Sequence, residues 1–151
     1  MRILGIESSA LVASVALVTD DILTAEYTVD FKKTHSQTLL PMIDEVARML
    51  ELDLNTIDAI AVAGGPGSFT GLRIGAATAK GLGLALEKPL IHVPTVDALA
   101  YNLWGAKALV CPIMDARRRQ VYTGLYRMNP EMETQMEQTA MDAGKLAQLL
   151  N

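Results

Sequence analysis

With 151 residues, 50% of them hydrophobic and 20% charged, the chain has material for one ordinary domain or for one lobe and the start of a second. That composition excludes global disorder. Thirteen basic against 17 acidic residues leave a net charge of −4, which excludes a grip on nucleic acid by bulk electrostatics alone but not a local basic patch.

The single cysteine, Cys111, cannot form an intrachain disulfide and reads as a small buried hydrophobe in a reducing cytoplasm. Arg2 followed by apolar residues imitates a secretory signal, but Glu7-Ser8-Ser9 interrupts it. No run reaches the length of a membrane span, so a soluble cytoplasmic protein is expected.

In chain order, 2-RILGIESS-9, 12-VASVALVTDD-21 and 22-ILTAEYTVDFK-32 read as three strands of an antiparallel meander, with a turn at Asp20-Asp21. The period then changes. Leu39, Ile43, Val46 and Leu50 recur at spacings of four, three and four, which predicts a helix over 35–51 capped by Thr34 or Ser36, with Pro41 in its early turns. A buried strand over 58–65 follows, then a glycine-rich turn and a helix over 70–86 stopped by Glu87-Lys88-Pro89. Residues 90–95 predict another strand with His92 as a core residue, and 96–104 a helix capped by Thr95. Gly105 marks a boundary between a first lobe, 1–105, and the start of a second, 106–151. The second lobe reads as strands over 108–117 and 120–128 joined at Arg117–Arg119, a polar mobile segment over 129–138, and a short amphipathic helix over 142–150. Both halves carry an apolar strand ending in an acid (Ile6-Glu7, Met114-Asp115), a faint sign of a repeat. The order predicts an α/β lobe with a mixed sheet.

Seven of the 11 glycines fall within 63-AGGPGSFTGLRIGAATAKGLGLAL-86. The stretch is neither a P-loop, because no Gly-Lys-Ser/Thr follows, nor a G-x-G-x-x-G fingerprint, because 65-GPGSFTG-71 has one residue too many. Strand, Gly-Pro-Gly turn and helix start still make a place where an anion can bind, so a phosphate cradle of another kind stays open. Gly71, Gly75, Ala79 and Gly83 recur every four residues and clear one helical face for close packing. The chain's own first helix or sheet, or a second subunit, would fit there, and a second subunit is the expectation carried forward.

Together, LGIESS, AVAGGPGSFTGLRIGAATAKGLGLAL, HVPT and DARRRQVY resemble the TsaB (YeaZ) family, in order and with fitting spacing to about residue 128. GGPGSFTGLRIG is the specific part of that resemblance. It implies an actin-like (ribonuclease H-like) ATPase fold of two related lobes and a non-catalytic role in making threonylcarbamoyladenosine at position 37 of tRNA. Implied partners are a TsaD-like catalytic subunit, a TsaE-like P-loop ATPase and a second copy of the chain, with tRNA met only inside the complex and no membrane. The helices at 35–51 and 70–86 would form the interface, through His35, Leu39, Met42, Ile43, Gly71, Arg73, Gly75, Ala79 and Gly83. Family members usually run longer, so the second lobe is expected to be short or truncated here.

The resemblance also implies a vestigial nucleotide site at Glu7, Ser8, Gly64, Gly65, Gly67 and Asp115, with no required cofactor but room for weak ATP or ADP binding. On the residues alone, each acid reads first as an ordinary polar residue at a strand end. The catalytic sister family has paired histidines at H-x-x-x-H spacing on the first helix; here His35 is followed by Leu39, so no metal site is expected. No Ser–His–Asp set supports a peptidase. The rival reading is an actin-fold ATPase or kinase binding ATP between its lobes through Gly64–Gly67, Glu7 and Asp115. Arg117, Arg118 and Arg119 form either a solvated turn or a contact for tRNA or a partner.

Overall fold

Alternation builds the first sheet. In β1 (Arg2–Glu7), β2 (Ala13–Thr19) and β3 (Ile22–Val29), every second side chain points to one face, so Leu4, Ile6, Val15 and Leu17 gather there and are buried. β1 and β2 pair antiparallel with Leu4 opposite Leu17 and Ile6 opposite Val15. Asp20 and Asp21 close the next hairpin at φ 47° and 66°, the left-handed pair of a two-residue turn whose twist matches the strands. The computed structural model describes residues 1–30 and 34–151. Residues 31–32 of the expected third strand therefore lie outside the described residues.

α1 (His35–Met49) buries Leu39, Met42, Ile43 and Val46 and contacts β2 and β3. Thr34 precedes it without a side-chain cap, and Pro41 lies inside it at an exposed position. A 3-10 turn (Leu54–Thr56) leads to β4 (Ala59–Ala63), which runs parallel to β1 with Ile60 beside Leu4. α2 (Phe69–Leu86) returns the chain over the same face, and β5 (Leu90–Val93) pairs parallel to β4. The sheet order is β3-β2-β1-β4-β5. Its core joins Leu4, Ile6, Val15, Leu17 and Ile60 to the inner face of α1.

The contacts divide the chain into two compact units, Met1–Val93 and Pro94–Asn151. The division precedes the expected boundary at Gly105 because α3 (Thr95–Tyr101) gives Val96 and Ala100 to the second core, with Val110, Tyr126 and Met128. Thr95 is the first residue of that helix rather than its cap. Tyr126 is fully buried and its hydroxyl donates to Asp97 Oδ1 at 2.7 Å. Burial, then this bond, pushes the phenol well above the ordinary tyrosine range.

The second sheet is antiparallel, in the order β6-β7-β8. β6 shrinks to Ile113–Asp115, since Pro112 offers no N–H and only an isolated bridge, Val110 to Tyr126, precedes it. β7 (Gln120–Met128) occupies the expected span. The segment expected to be polar and mobile is instead β8 (Met132–Asp142), an edge strand paired to β7 from Met128↔Met132 to Gln120↔Asp142. Backbone pairing needs no apolar run, and Met132, Met136 and Met141 supply a half-buried side. α4 (Ala143–Leu150) is capped by Asp142, whose Oδ1 accepts from the Gly144 and Lys145 N–H groups. Among the described residues, no helix is long and apolar enough to cross a membrane.

Candidate functional site

The parallel strands β1 and β4 end side by side, and the loops leaving them meet. In open α/β sheets this is where ligands are bound. β1 runs into Ser8-Ser9-Ala10, and both serines are buried. Glu7 Oε1 accepts the Ser9 N–H at 2.5 Å, and the Ser68 N–H donates to the Ser9 carbonyl at 2.6 Å. Ser8 Oγ donates to the Gly71 carbonyl at 3.0 Å. His35 Nε2 lies 2.8 Å from the Ala10 carbonyl, a contact in which the ring nitrogen must be the donor.

The glycines follow from that packing. A Cβ on Gly67 would lie 2.4 Å from the Ser9 carbonyl oxygen, one on Gly71 2.0 Å from that of Ser8, and one on Gly75 2.2 Å from Ser8 Oγ. Only residues without side chains let the loop rest directly on the first turns of α2. At Gly64 the neighbour is a side chain instead of backbone: its Cβ would overlap His92 Nε2 at 1.8 Å. His92 itself is exposed rather than a core residue. Gly65 takes φ 101°, a conformation that favours glycine.

Several groups at this helix start are bonded to one another. The Ser68 N–H faces Ser9, the Gly71 N–H donates to Ser68 Oγ at 3.2 Å, and the Leu72 N–H donates to the Ser68 carbonyl at 2.8 Å. Of the expected nucleotide residues, Glu7 also borders a depression of about 200 Å³ over Gly5, Ala16 and Ala61, small residues on the sheet face away from α1 and α2. Asp115 belongs to the second unit, where its Oδ1 accepts the Arg117 N–H at 2.7 Å.

The expected interface residues separate into two sets. Leu39, Met42 and Ile43 are core residues beneath α1. Gly71, Gly75, Ala79 and Gly83 are buried too, which corrects their assignment to an intermolecular face. Their stripe faces the chain's own sheet: a Gly75 Cβ would meet Val62 Cγ2 at 3.6 Å, and a Gly83 Cβ would meet Leu90 Cδ2 at 2.8 Å. His35 is half-buried and held by Ala10, and Arg73 alone among them is exposed, its guanidinium 5.3 Å above the Phe69 ring.

The outer side of the same helices was not singled out by the sequence. Leu84 is 84% exposed, Phe69 74%, Met49 73% and Leu40 55%. Ala77, Lys80 and Gly81 share that side of α2, and nothing lies within 4 Å of where a Gly81 Cβ would be. Phe69 and Leu84 lie on one side of α2, whereas Leu40 and Met49, nine residues apart, lie on opposite flanks of the buried stripe of α1. The signal available in the sequence was residual: apolar residues on α2 left over once its small-residue stripe had been turned inward. Leu39 stands where a second histidine would complete a helical pair, and it is packed into the core. Among the described residues, no three His, Cys, Asp or Glu side chains gather to hold a metal.

A family model described as "TsaD: tRNA N6-adenosine threonylcarbamoyltransferase" matches residues 29–151. The chain is 40% identical over 127 residues to the tRNA threonylcarbamoyladenosine biosynthesis protein TsaB of Bacillus subtilis (strain 168), an alignment covering 84% of this chain and 56% of that protein. The structure of YeaZ from Pseudomonas aeruginosa superposes with a TM-score of 0.81 at 31% identity, over 93% of this chain and 67% of that one. The ethanolamine utilization protein EutJ from Carboxydothermus hydrogenoformans, at 15% identity and a TM-score of 0.54 over 99% of this chain and 56% of that one, shares the fold. That fold is the actin-like α/β architecture, with a mixed five-stranded sheet and a three-stranded antiparallel sheet. The chain spans a little over half the length of the curated relatives it matches.

Proposed function

The chain belongs to the TsaB (YeaZ) family, and from that premise we propose that it is a non-catalytic assembly subunit for threonylcarbamoylation of adenosine 37 in tRNA. It pairs with a TsaD-type catalytic subunit or with a second copy of itself through the outer faces of α1 and α2, and the TsaE-type ATPase and tRNA join the assembled complex. It needs no cofactor for that role. The observation that carries the reading is the exposure of Leu84 and Phe69 on one side of α2. Supporting it, the Ser8 hydroxyl and one Glu7 carboxylate oxygen in the loop where an active relative would meet phosphate are engaged by the loop's own hydrogen bonds.

Leu84→Asp tests this, because it places a charge at the most open apolar position of α2 without touching the core. It is expected to weaken association with a TsaD-type partner, or self-association in sedimentation, by at least about tenfold, the loss typical of a buried interface anchor. The melting temperature of the isolated chain should stay within about 2 °C, as for most surface substitutions. Unchanged association in a Leu40→Asp/Leu84→Asp double variant would remove these helices from the interface. Gly75 is unsuitable for that test, since substitution there disturbs Ser8 and reports on folding. Calorimetry with ATP and magnesium addresses the rival reading: tight binding lost on Asp115→Ala would replace the assembly role with an ATPase or kinase.

A further inference from the structure

Between β6 and β7 the chain places Arg117, Arg118 and Arg119 at φ 63°, 50° and 62°. Three consecutive side-chain-bearing residues in the left-handed region are unusual, because each brings its Cβ close to the following carbonyl. The surrounding bonds hold the turn in place. Asp115 Oδ1 accepts the Arg117 N–H at 2.7 Å, and the Ala116 N–H donates to the Gln120 carbonyl at 3.0 Å. The Gln120 N–H donates to the Arg117 carbonyl at 2.9 Å, and the Ala143 N–H donates to the Arg119 carbonyl at 3.0 Å. The nearby acids form no ion pair with the arginines. Asp115 and Asp142 direct an oxygen to backbone N–H groups, and among the described residues none of the three guanidinium groups forms an ion pair. All three arginines are exposed.

We propose that this turn is a docking site for the phosphodiester backbone of a folded RNA, which on the assembly reading above is the tRNA. A helical turn rotates successive residues by about 100°, so the three guanidinium groups diverge and address several anions rather than one. Arginine's planar fork matches phosphate oxygens two at a time. A ligand with one charge per nucleotide along a stiff path suits such a fan better than the flexible carboxylates of an acidic peptide. The chain's charge of −4 makes this a local positioning contact, without sequence readout.

The test is fluorescence anisotropy of a labelled unmodified tRNA transcript with the full chain, titrated across salt concentrations, with polyglutamate as competitor. In R117N/R118N/R119N, asparagine tolerates the left-handed backbone and removes only the charge. This variant is expected to bind at least about tenfold more weakly at low salt. Its slope of log affinity against log salt should flatten by about 2–3, the counterion release expected for three phosphate contacts. A triple lysine variant should keep the slope and lose part of the affinity. An equal melting temperature shows that the Asn variant is folded; if it is not, the single substitutions to Asn carry the same comparison. The proposal is overturned by unchanged affinity and slope, by no tRNA binding to the wild-type chain at low salt, or by polyglutamate binding at least as tightly as tRNA. If Leu84→Asp still breaks association while the arginine variants change nothing, the assembly role stands and this site does not.

Discussion

Gly71 and Gly81 sit on one helix, ten residues apart, and have opposite needs. A Cβ on Gly71 would lie 2.0 Å from the Ser8 carbonyl oxygen, a backbone atom in a loop fastened on both sides, whereas one on Gly81 meets open space. Alanine is the better helix former by about 1 kcal/mol at either position. At Gly81 that gain is free to appear, so Gly81→Ala should stabilise the chain by up to about 1 kcal/mol. At Gly71 the clash outweighs it, and Gly71→Ala should destabilise by about 1–3 kcal/mol net, the range for overpacked sites. Urea denaturation of the two variants reads both signs. A stabilising Gly71→Ala would mean that the Ser8 loop does not rest on α2 as described.

At the scale of elements, α2 shows what the sequence carried and what it did not. The four-residue recurrence of Gly71, Gly75, Ala79 and Gly83 correctly marks a closely packed face, and the helix spans Phe69–Leu86 as its stop signals imply. What periodicity cannot say is which partner lies on that face, because a sheet strand and a second helix both want a groove. β8 was illegible for a different reason. Its Glu, Thr and Gln residues hide a period of two, and its order comes from pairing along β7. In the loop after β1 and β4, Gly67 stood out in the sequence as a backbone position, while its neighbours Ser9 and Ser68 did not, since ordinary serines carry no spacing signature.

Beside the apolar packing of α3 on β7, one polar bond joins them, from the buried Tyr126 hydroxyl to Asp97 Oδ1 at 2.7 Å. Tyr126→Phe leaves a part-buried carboxylate without its donor and should cost about 1–3 kcal/mol at neutral pH. The pH dependence has a definite sign. The folded phenol ionises above the unfolded one, so its stabilisation is complete below about pH 10 and falls as pH rises beyond it, where only the unfolded state loses the proton. Thermal melts should therefore decline more steeply above about pH 10 in the wild type than in Tyr126→Phe. Parallel curves would place the alkaline loss elsewhere.

Among the described residues the molecule has two hydrophobic cores, and no buried residue belongs to both: Leu4, Ile6, Val15, Leu39 and Ile60 are in the first, Val96, Ala100, Val110, Tyr126 and Met128 in the second. Each unit also has its own sheet. The proposed roles divide the same way, with assembly on α1 and α2 and the anion contact on the β6–β7 turn. Stability and function should then be separable by unit. Ile60→Ala empties a fully buried site in the first core and Met128→Ala one nearly so in the second, each expected to cost about 2–5 kcal/mol. Hydrogen exchange should show lost amide protection in β1, β2 and β4 for Ile60→Ala with β7 and β8 little changed, and the reverse for Met128→Ala. The same samples should divide functionally, Ile60→Ala losing partner association before tRNA binding and Met128→Ala the opposite. Equal loss of protection in both sheets from either substitution would show one cooperative block, and the division of roles between the units would then have no separate energetic basis.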